Sequence, residues 1–355
     1  GIDCDVFEGV TDVKEIGVGI TLLPHGMREL AELGLQDALE AVGIENLESV
    51  FYTQHGQYVY KEARGRHAGY TLPEIGIHRG KLHRILFDAA VSRLGADKVH
   101  TGMRCSAFSQ NDNGVEIEFS NAHTQTSLKV QAQIAVACDG VNSVVRAQMH
   151  PQDALCFAGI NTWRGVTVHP PILTGKSYLR IGTVEVGKMV IYPIIDNVDG
   201  KGNQLINWVA ELQKPNAAMN DWNRPGDPAV CAEIFKDWKF DFLNVPELIL
   251  KAEKVFEYPM VDKDALPFWT QGRVTLMGDA AHPMYPRGSN GSAQALIDAR
   301  TLAEQLSQHS NPQDALKAYE ALRLAPTAKV VETNRNVPPD FIIMKAQELS
   351  GGKPF

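Results

Sequence analysis

The residues best placed to do chemistry lie in one run, Gly278-Asp279-Ala280-Ala281-His282-Pro283-Met284-Tyr285-Pro286-Arg287-Gly288-Ser289-Asn290-Gly291. Val274-Thr275-Leu276-Met277 precedes it and predicts a buried strand that ends in an acid. A loop punctuated by Pro and Gly comes next, and the spacing predicts a helix opening on Gly-Ser-Asn-Gly. A carboxylate in the position of Asp279 can accept hydrogen bonds from a ribose or ribityl hydroxyl. The backbone N–H groups at the start of the next helix point across the loop, at the positive end of the helix dipole. An electron-rich, partly anionic ring would be stabilised there.

Two further segments carry related signals. Ile134-Ala135-Val136-Ala137-Cys138 is an apolar run without alternation, as expected of a strand buried on both faces in a parallel sheet. Asp139-Gly140 then makes a tight turn, with Ser143 and Arg146 in the first turn of the segment after it; Arg146 is expected to pair with Asp139 and hold that turn. Near the start, Cys4-Asp5-Val6-Phe7-Glu8 reads as a short strand ending in an acid. An acid at the end of the second strand of a dinucleotide fold binds ribose hydroxyls. The strand and Gly-x-Gly-x-x-Gly turn that would precede it are absent, and Gly17-Val18-Gly19 follows no strand of its own. The expectation is therefore a chain that begins inside a longer dinucleotide-binding unit.

Together these segments resemble the FAD-dependent aromatic-ring hydroxylases, single-component monooxygenases of the para-hydroxybenzoate hydroxylase fold. Within them the run Met-Tyr-Pro-Arg-Gly-Ser-Asn-Gly is similar to the phenazine-carboxylate hydroxylase branch. The resemblance implies that Asp279 serves the ribityl or pyrophosphate part of FAD. It implies that the backbone of Pro286, Gly288, Ser289, Asn290 and Gly291 borders the isoalloxazine. It assigns Glu8 to the adenosine ribose, Asp139 to the pyrophosphate, and the loop at Val18 and Gly19 to the flavin's neighbourhood. Ile77-His78-Arg79-Gly80-Lys81-Leu82-His83-Arg84-Ile85-Leu86 resembles the family's Arg-x-x-Leu-x-x-x-Leu signature, so Arg79 would reach FAD, while the backbone near Met103 would lie against adenine. Trp163-Arg164-Gly165 and Asn207-Trp208-Val209 extend the likeness to nearly the whole chain.

The chemistry so implied is reduction of FAD by NAD(P)H, reaction with O2 to a flavin hydroperoxide, and oxygen transfer to an aromatic or heteroaromatic carboxylate or phenol. The protein's part is positioning and exclusion of water, and no catalytic side chain or metal-ligating set is assigned. His282 is read as a structural hydrogen-bonding residue. Tyr192, Trp208, Met284 and Tyr285 are candidates for a flat-ring pocket, although a sheet also needs aromatics to pack against its covering helices. Two alternatives remain: a flavoprotein of the same fold with other oxidative chemistry, and a non-catalytic remnant that no longer binds FAD.

These residues must be held by an α/β fold. The expectation is a Rossmann-like FAD-binding domain over residues 1–150 and 268–355, lacking its first strand and Gly-rich turn. A β-sheet substrate lobe, antiparallel, would occupy residues 151–267, and helices would close the chain. Helix is expected over 24–43, from 79 onward, over 292–306 and over 315–323. Strands are expected at 50–52, 58–60, 99–108 and 115–119, and a meander at 157–168, 177–181, 189–195 and 204–211. His78, His83 and Arg84 read as solvated helix positions, and Phe341-Ile342-Ile343-Met344 finds little to pack into.

Composition narrows the class. The chain has 355 residues, 44% hydrophobic and 21% charged, as in ordinary globular proteins. A net charge of −8 with no basic run argues against nucleic-acid or membrane-surface binding, and no apolar stretch approaches a membrane span. Cys4, Cys105, Cys138, Cys156 and Cys231 are scattered and read as reduced, mostly buried thiols of a cytoplasmic protein. Oligomeric state is left open.

Overall fold

In the computed structural model, residues 2–13, 17–121, 124, 126–214, 224–351 and 353 are described. The first lobe is built around two short parallel strand pairs. Val6–Glu8 pairs with Val99–Thr101, and Ala135–Ala137 pairs with Val274–Leu276. The two pairs stay in separate sheets. Each of these strands ends next to a candidate acid or loop, so the functional residues fall at strand ends, where α/β proteins hold ligands. Gly19–Leu22 and Ile44–Glu45 flank Ile75–His78 in a small antiparallel sheet, and Met103–Gln110, Val115–Asn121 and Ser127–Ala132 form another.

The expected helix over 24–43 is two helices, α1 (Pro24–Glu32) and α2 (Gln36–Glu40). Gly34 lies between them at φ 68°, a left-handed conformation that ends a helix and that glycine adopts without penalty. α3 (Arg79–Leu94) and α4 (Val144–Met149) come next, the latter capped by Ser143. His78 is not a solvated helix position: it is buried at the end of its strand, with Nε2 3.1 Å from the Gly17 carbonyl. The strand expected over 99–108 is broken at Gly102, where φ is 73°.

The second lobe is an eight-stranded sheet. Its spatial order is Arg224–Pro225, Val255–Lys263, Leu155–His169, Gln204–Gln213, Gly187–Ile195, Ser177–Thr183, Glu48–Tyr52 and Tyr58–Ala63. The four strands of the meander lie where the sequence puts them. The division at 150/151 is corrected, because residues 48–63 contribute the last two strands to this sheet. The sheet is also not wholly antiparallel: Glu48–Tyr52 runs parallel to Ser177–Ile181.

Alternation gives the sheet two faces. On one, Trp163, Leu179, Ile181, Met189, Ile191, Ile206, Trp208 and Ala210 form a core beneath α5 (Pro228–Ile234) and α6 (Val245–Leu250). Burying each large side chain there contributes about 1.5–3 kcal/mol. On the other, Tyr178, Val190, Tyr192, Ile194 and Val209 form a separate cluster. This second face meets the first lobe, since Gly19 and Gly76 pack on Asn207 and Tyr192.

The chain returns to the first lobe through α7 (Gly291–Gln308) and α8 (Pro312–Asn336), which bury Leu302, Leu316 and Tyr319 with Val274 and Leu276. The final segment does find a partner, contrary to the reading of its sequence. α9 (Phe341–Leu349) packs on the strands at 48–63 and 177–183, with Ile343 fully buried. Among the described residues no helix is long and apolar enough to cross a membrane. The thiols are less buried than expected: only Cys231 is fully enclosed, while Cys4 and Cys138 are exposed.

Candidate functional site

Asp279 follows the buried strand Val274–Leu276 in a single helical turn, Gly278–Ala280, and its side chain is exposed. Its carboxylate accepts no hydrogen bond from any described residue. It lies by the start of α7, where a Cβ placed on Gly291 would be 4.0 Å from Asp279 Oδ1 and 3.9 Å from Met284 Cγ. The α7 N-terminus has no side-chain cap. A free carboxylate and free N–H groups thus share one loop, an arrangement suited to hydroxyls on one side and an anionic ring on the other.

The loop between them is held in an unusual backbone conformation. Gly288 has φ 74° and Ser289 has φ 56°, consecutive left-handed residues of which only the first is glycine. Backbone strain of this kind persists where the surroundings fix it, and it clusters at ligand sites. The turn Arg287–Ser289 rests against Gly19–Leu22. Gly19 N–H donates to Asn207 Oδ1 at 2.7 Å, and a Cβ at Gly19 would meet Asn207 at 2.7 Å and Ile194 at 2.8 Å, so only glycine fits.

A buried network sets this loop. Asp298 on α7 is fully buried; its Oδ2 accepts from Gly278 N–H at 3.1 Å and lies 2.5 Å from His282 Nε2, while its Oδ1 accepts from Arg323 Nε at 2.7 Å. Arg323 Nη2 donates on to Gln294 Oε1 at 2.7 Å. His282 therefore orients the loop from behind, as a structural hydrogen-bonding residue.

The expected pairing of Arg146 with Asp139 is not made. Asp139 caps α4, accepting from Val144 N–H at 2.9 Å, and leaves Oδ1 without a hydrogen bond among the described residues. Arg146 turns inward and is fully buried. It bonds Asp153 through Nε and Nη2, both at 2.8 Å, the Ala280 and Ala281 carbonyls through Nη1, and the Asp264 carbonyl through Nη2. All five guanidinium N–H groups are used. The interior supplies it with a carboxylate and three carbonyls at once, which the exposed Asp139 cannot match.

The other candidates occupy the rim. Glu8 ends its strand, with Oε1 accepting from Val10 N–H at 2.9 Å. Arg79 opens α3 with its side chain exposed and without a hydrogen bond to any described residue, while its backbone N–H donates to the Val18 carbonyl at 3.0 Å. Met103 is buried at the start of its strand. Among the pocket candidates, Tyr192 lies on the sheet face toward the first lobe, stacked on Tyr178 at 4.8 Å. Trp208 is corrected: it is fully buried on the opposite face and donates from Nε1 to Thr167 Oγ1 at 3.1 Å. Strand alternation decides this, because a residue next to Asn207 must point the other way. Tyr285 is buried against Ile160 and Met260, and burial pushes its hydroxyl up to about 12, so it stays neutral. The residues missed from sequence, Arg164 and Tyr258, share the face of Asn207. The tryptophans at 163 and 208 were the available signal, since each marks its neighbour as facing the site.

These residues fit FAD: an unpartnered acid beside an uncapped helix, a glycine cradle at Gly19, a left-handed loop, and a free arginine at the head of α3. The chain belongs to the FAD binding domain family, whose model matches residues 1–334. This bears out the resemblance to FAD-dependent aromatic-ring hydroxylases, and the protein is a flavin-dependent monooxygenase with FAD as its cofactor. It is 37% identical over 338 residues to phenazine 1,6-dicarboxylic acid hydroxylase PhzS of Lysobacter antibioticus, covering 93% of this chain and 83% of that protein. It is 30% identical to 3-amino-4-hydroxybenzoate 2-monooxygenase PtmB3 of Streptomyces platensis, over 94% of this chain and 81% of the relative. Among solved structures, HpxO of Klebsiella pneumoniae complexed with FAD and uric acid shares the fold, with TM-score 0.78, 21% identity, and coverage of 99% of this chain and 85% of that one.

Proposed function

We propose that this protein is an NAD(P)H- and FAD-dependent monooxygenase that hydroxylates an aromatic or heteroaromatic carboxylate or phenol, with O2 as co-substrate. The observation that carries this reading is the unpartnered Asp279 carboxylate beside the uncapped start of α7, opposite a sheet face lined by Tyr192 and Asn207. Glu8, Arg79, Met103, Asp139 and Asp279 are assigned to the length of FAD, and Val18, Gly19 and Pro286 through Gly291 to its ring. Bound FAD would supply two-electron reduction by NAD(P)H and activation of O2 for transfer of one oxygen atom.

What remains for the chain is placement. The α7 N-terminus favours negative charge at the ring it faces. Gly19, fixed to Asn207, sets how closely that ring approaches the sheet. The apolar surface of Tyr192, Val190 and Val209 excludes water from the cleft, which protects a reactive oxygen donor from wasteful decay. Met284 lies beside the start of α7, its Cγ 3.9 Å from where a Cβ on Gly291 would be. No protein base is required, and the described residues offer no unpaired His–carboxylate pair there: His282 is committed to Asp298. We place the protein in the cytoplasm, in keeping with its free thiols.

The test is NAD(P)H consumption by FAD-loaded protein, with and without aromatic acids, and then product analysis. Stimulated consumption with a hydroxylated product supports the reading. Equal consumption with hydrogen peroxide as the sole product would reject it.

A further inference from the structure

The sheet face toward the first lobe holds a cation that the chain itself does not neutralise. Arg164 follows Trp163 on Leu155–His169 and so points away from the α5–α6 core. In register it lies beside Val209 and Phe256; one pair along are Val166 and Asn207, and in the other direction Thr162 sits between Glu211 and Tyr258. Val166 and Val209 belong to the cluster on the first-lobe face, which fixes the face for all of them.

Among the described residues Arg164 makes no hydrogen bond and no ion pair. Its guanidinium lies 5.9 Å from the centroid of the Tyr258 ring, and Nε is enclosed without a partner. Three more polar atoms on this face lack a partner: Thr162 Oγ1, Asn207 Nδ2 and Tyr258 OH. Thr162 and Asn207 are fully buried. The carboxylate on the same face, Glu211, is held by Lys188 at 3.0 Å, which also meets Asp340 at 3.3 Å. Buried polar groups in native proteins are nearly always paired, and an arginine enclosed without a counter-charge is rarer still. Four such groups on one patch define a site completed by a ligand rather than a defect of packing.

We infer that Arg164 binds the carboxylate of the substrate, with Asn207 Nδ2 and Tyr258 OH as neutral donors, so that the enzyme selects aromatic carboxylates over phenols and neutral rings. The planar guanidinium matches a carboxylate through two parallel hydrogen bonds. Asn207 ties this patch to the ring site, because its other atom, Oδ1, holds Gly19. A carboxylate on Arg164 would place the attached ring beside Gly19 and the loop at 284–291. This inference rests on the hydroxylase reading given above.

The experiment compares aromatic acids with their neutral carboxamides on FAD-loaded protein, measuring dissociation constants from perturbation of the flavin spectrum and KM from NAD(P)H oxidation. The probes are phenazine-1,6-dicarboxylate and 3-amino-4-hydroxybenzoate. Wild type should bind an acid over its amide by at least roughly tenfold, as expected for a charge-assisted pair. Arg164→Met should abolish that preference, Arg164→Lys should restore part of it, and Tyr258→Phe should weaken acids alone; all should keep the flavin. Wild type that binds acids and amides equally overturns the inference without any variant, as does an Arg164→Met protein that keeps the preference. Loss of flavin from Arg164→Met and Arg164→Lys alike would reassign Arg164 to the cofactor. If no aromatic compound, acid or amide, perturbs the flavin or stimulates oxidation in wild type, the hydroxylase reading falls and takes this inference with it.

Discussion

Single residues in this site are fixed by what lies behind them. Asp298 answers a histidine, an arginine and a backbone N–H from a fully buried position. Replacing it with Ala leaves Arg323 buried without its charge partner, and breaking a buried pair of this kind costs about 3–5 kcal/mol. Urea denaturation of Asp298→Ala should show that loss, whereas a surface pair such as Arg84 with Asp88 should show less than about 1 kcal/mol. Gly19→Ala drives a methyl group into Asn207 and Ile194, an overpacking worth about 1–3 kcal/mol. Its expected signature is weaker flavin retention with a modestly lower melting temperature. Asp279→Ala should weaken FAD binding with little change in stability, since the native carboxylate holds no protein group. Flavin retained equally through desalting by Asp279→Ala would remove that residue from the cofactor site.

Elements differ in how far their sequence announced them. The meander at 155–213 was legible because alternating side chains and glycine turns fix strand ends locally. The parallel strands were legible as unbroken apolar runs, and the loop at 278–291 through its punctuation residues. What sequence did not disclose was partnership at a distance. The strands at 48–63 look like any β hairpin, and only the edge of Ser177–Thr183 draws them into the second lobe. Arg146 has an acid seven residues ahead and another seven residues behind, and only burial decides between them. α9 was misread for the same reason: its apolar residues meet strands almost 300 positions earlier. Asp340, at the head of α9, is fully buried against Lys188. Asp340→Ala should therefore cost about 3 kcal/mol and loosen α9, visible as faster hydrogen exchange over 341–349. Unchanged exchange there would show that packing of Ile343 alone holds the helix.

Across the whole molecule, the two lobes are tied where the chain passes between them. Arg146 from the first lobe and Lys263 from the end of the second converge on Asp153, and Arg146 also holds the Ala280 and Ala281 carbonyls of the loop at 278–291. Burial raises the Asp153 pKa, but the hydrogen bonds and charges of Arg146 and Lys263 outweigh it and hold the carboxyl below its usual range. A depressed carboxyl stabilises the fold at pH values above its unfolded pKa of about 3.9 and loses that contribution as pH falls through the folded value. Stability should therefore be level near neutrality and decline below about pH 4, and Asp153→Asn should lower the neutral plateau while flattening that decline. Parallel acid curves for the two proteins would exclude Asp153 as the group responsible.

Oxygen transfer from O2 to an aromatic acid is tested most directly by isotope labelling. FAD-loaded protein would be supplied with NADPH, phenazine-1,6-dicarboxylate and 18O2, and the product examined by mass spectrometry. One 18O atom in each hydroxylated product is the predicted result. A hydroxylated product carrying oxygen from water, or NADPH oxidation that leaves the aromatic acid unchanged, would contradict it.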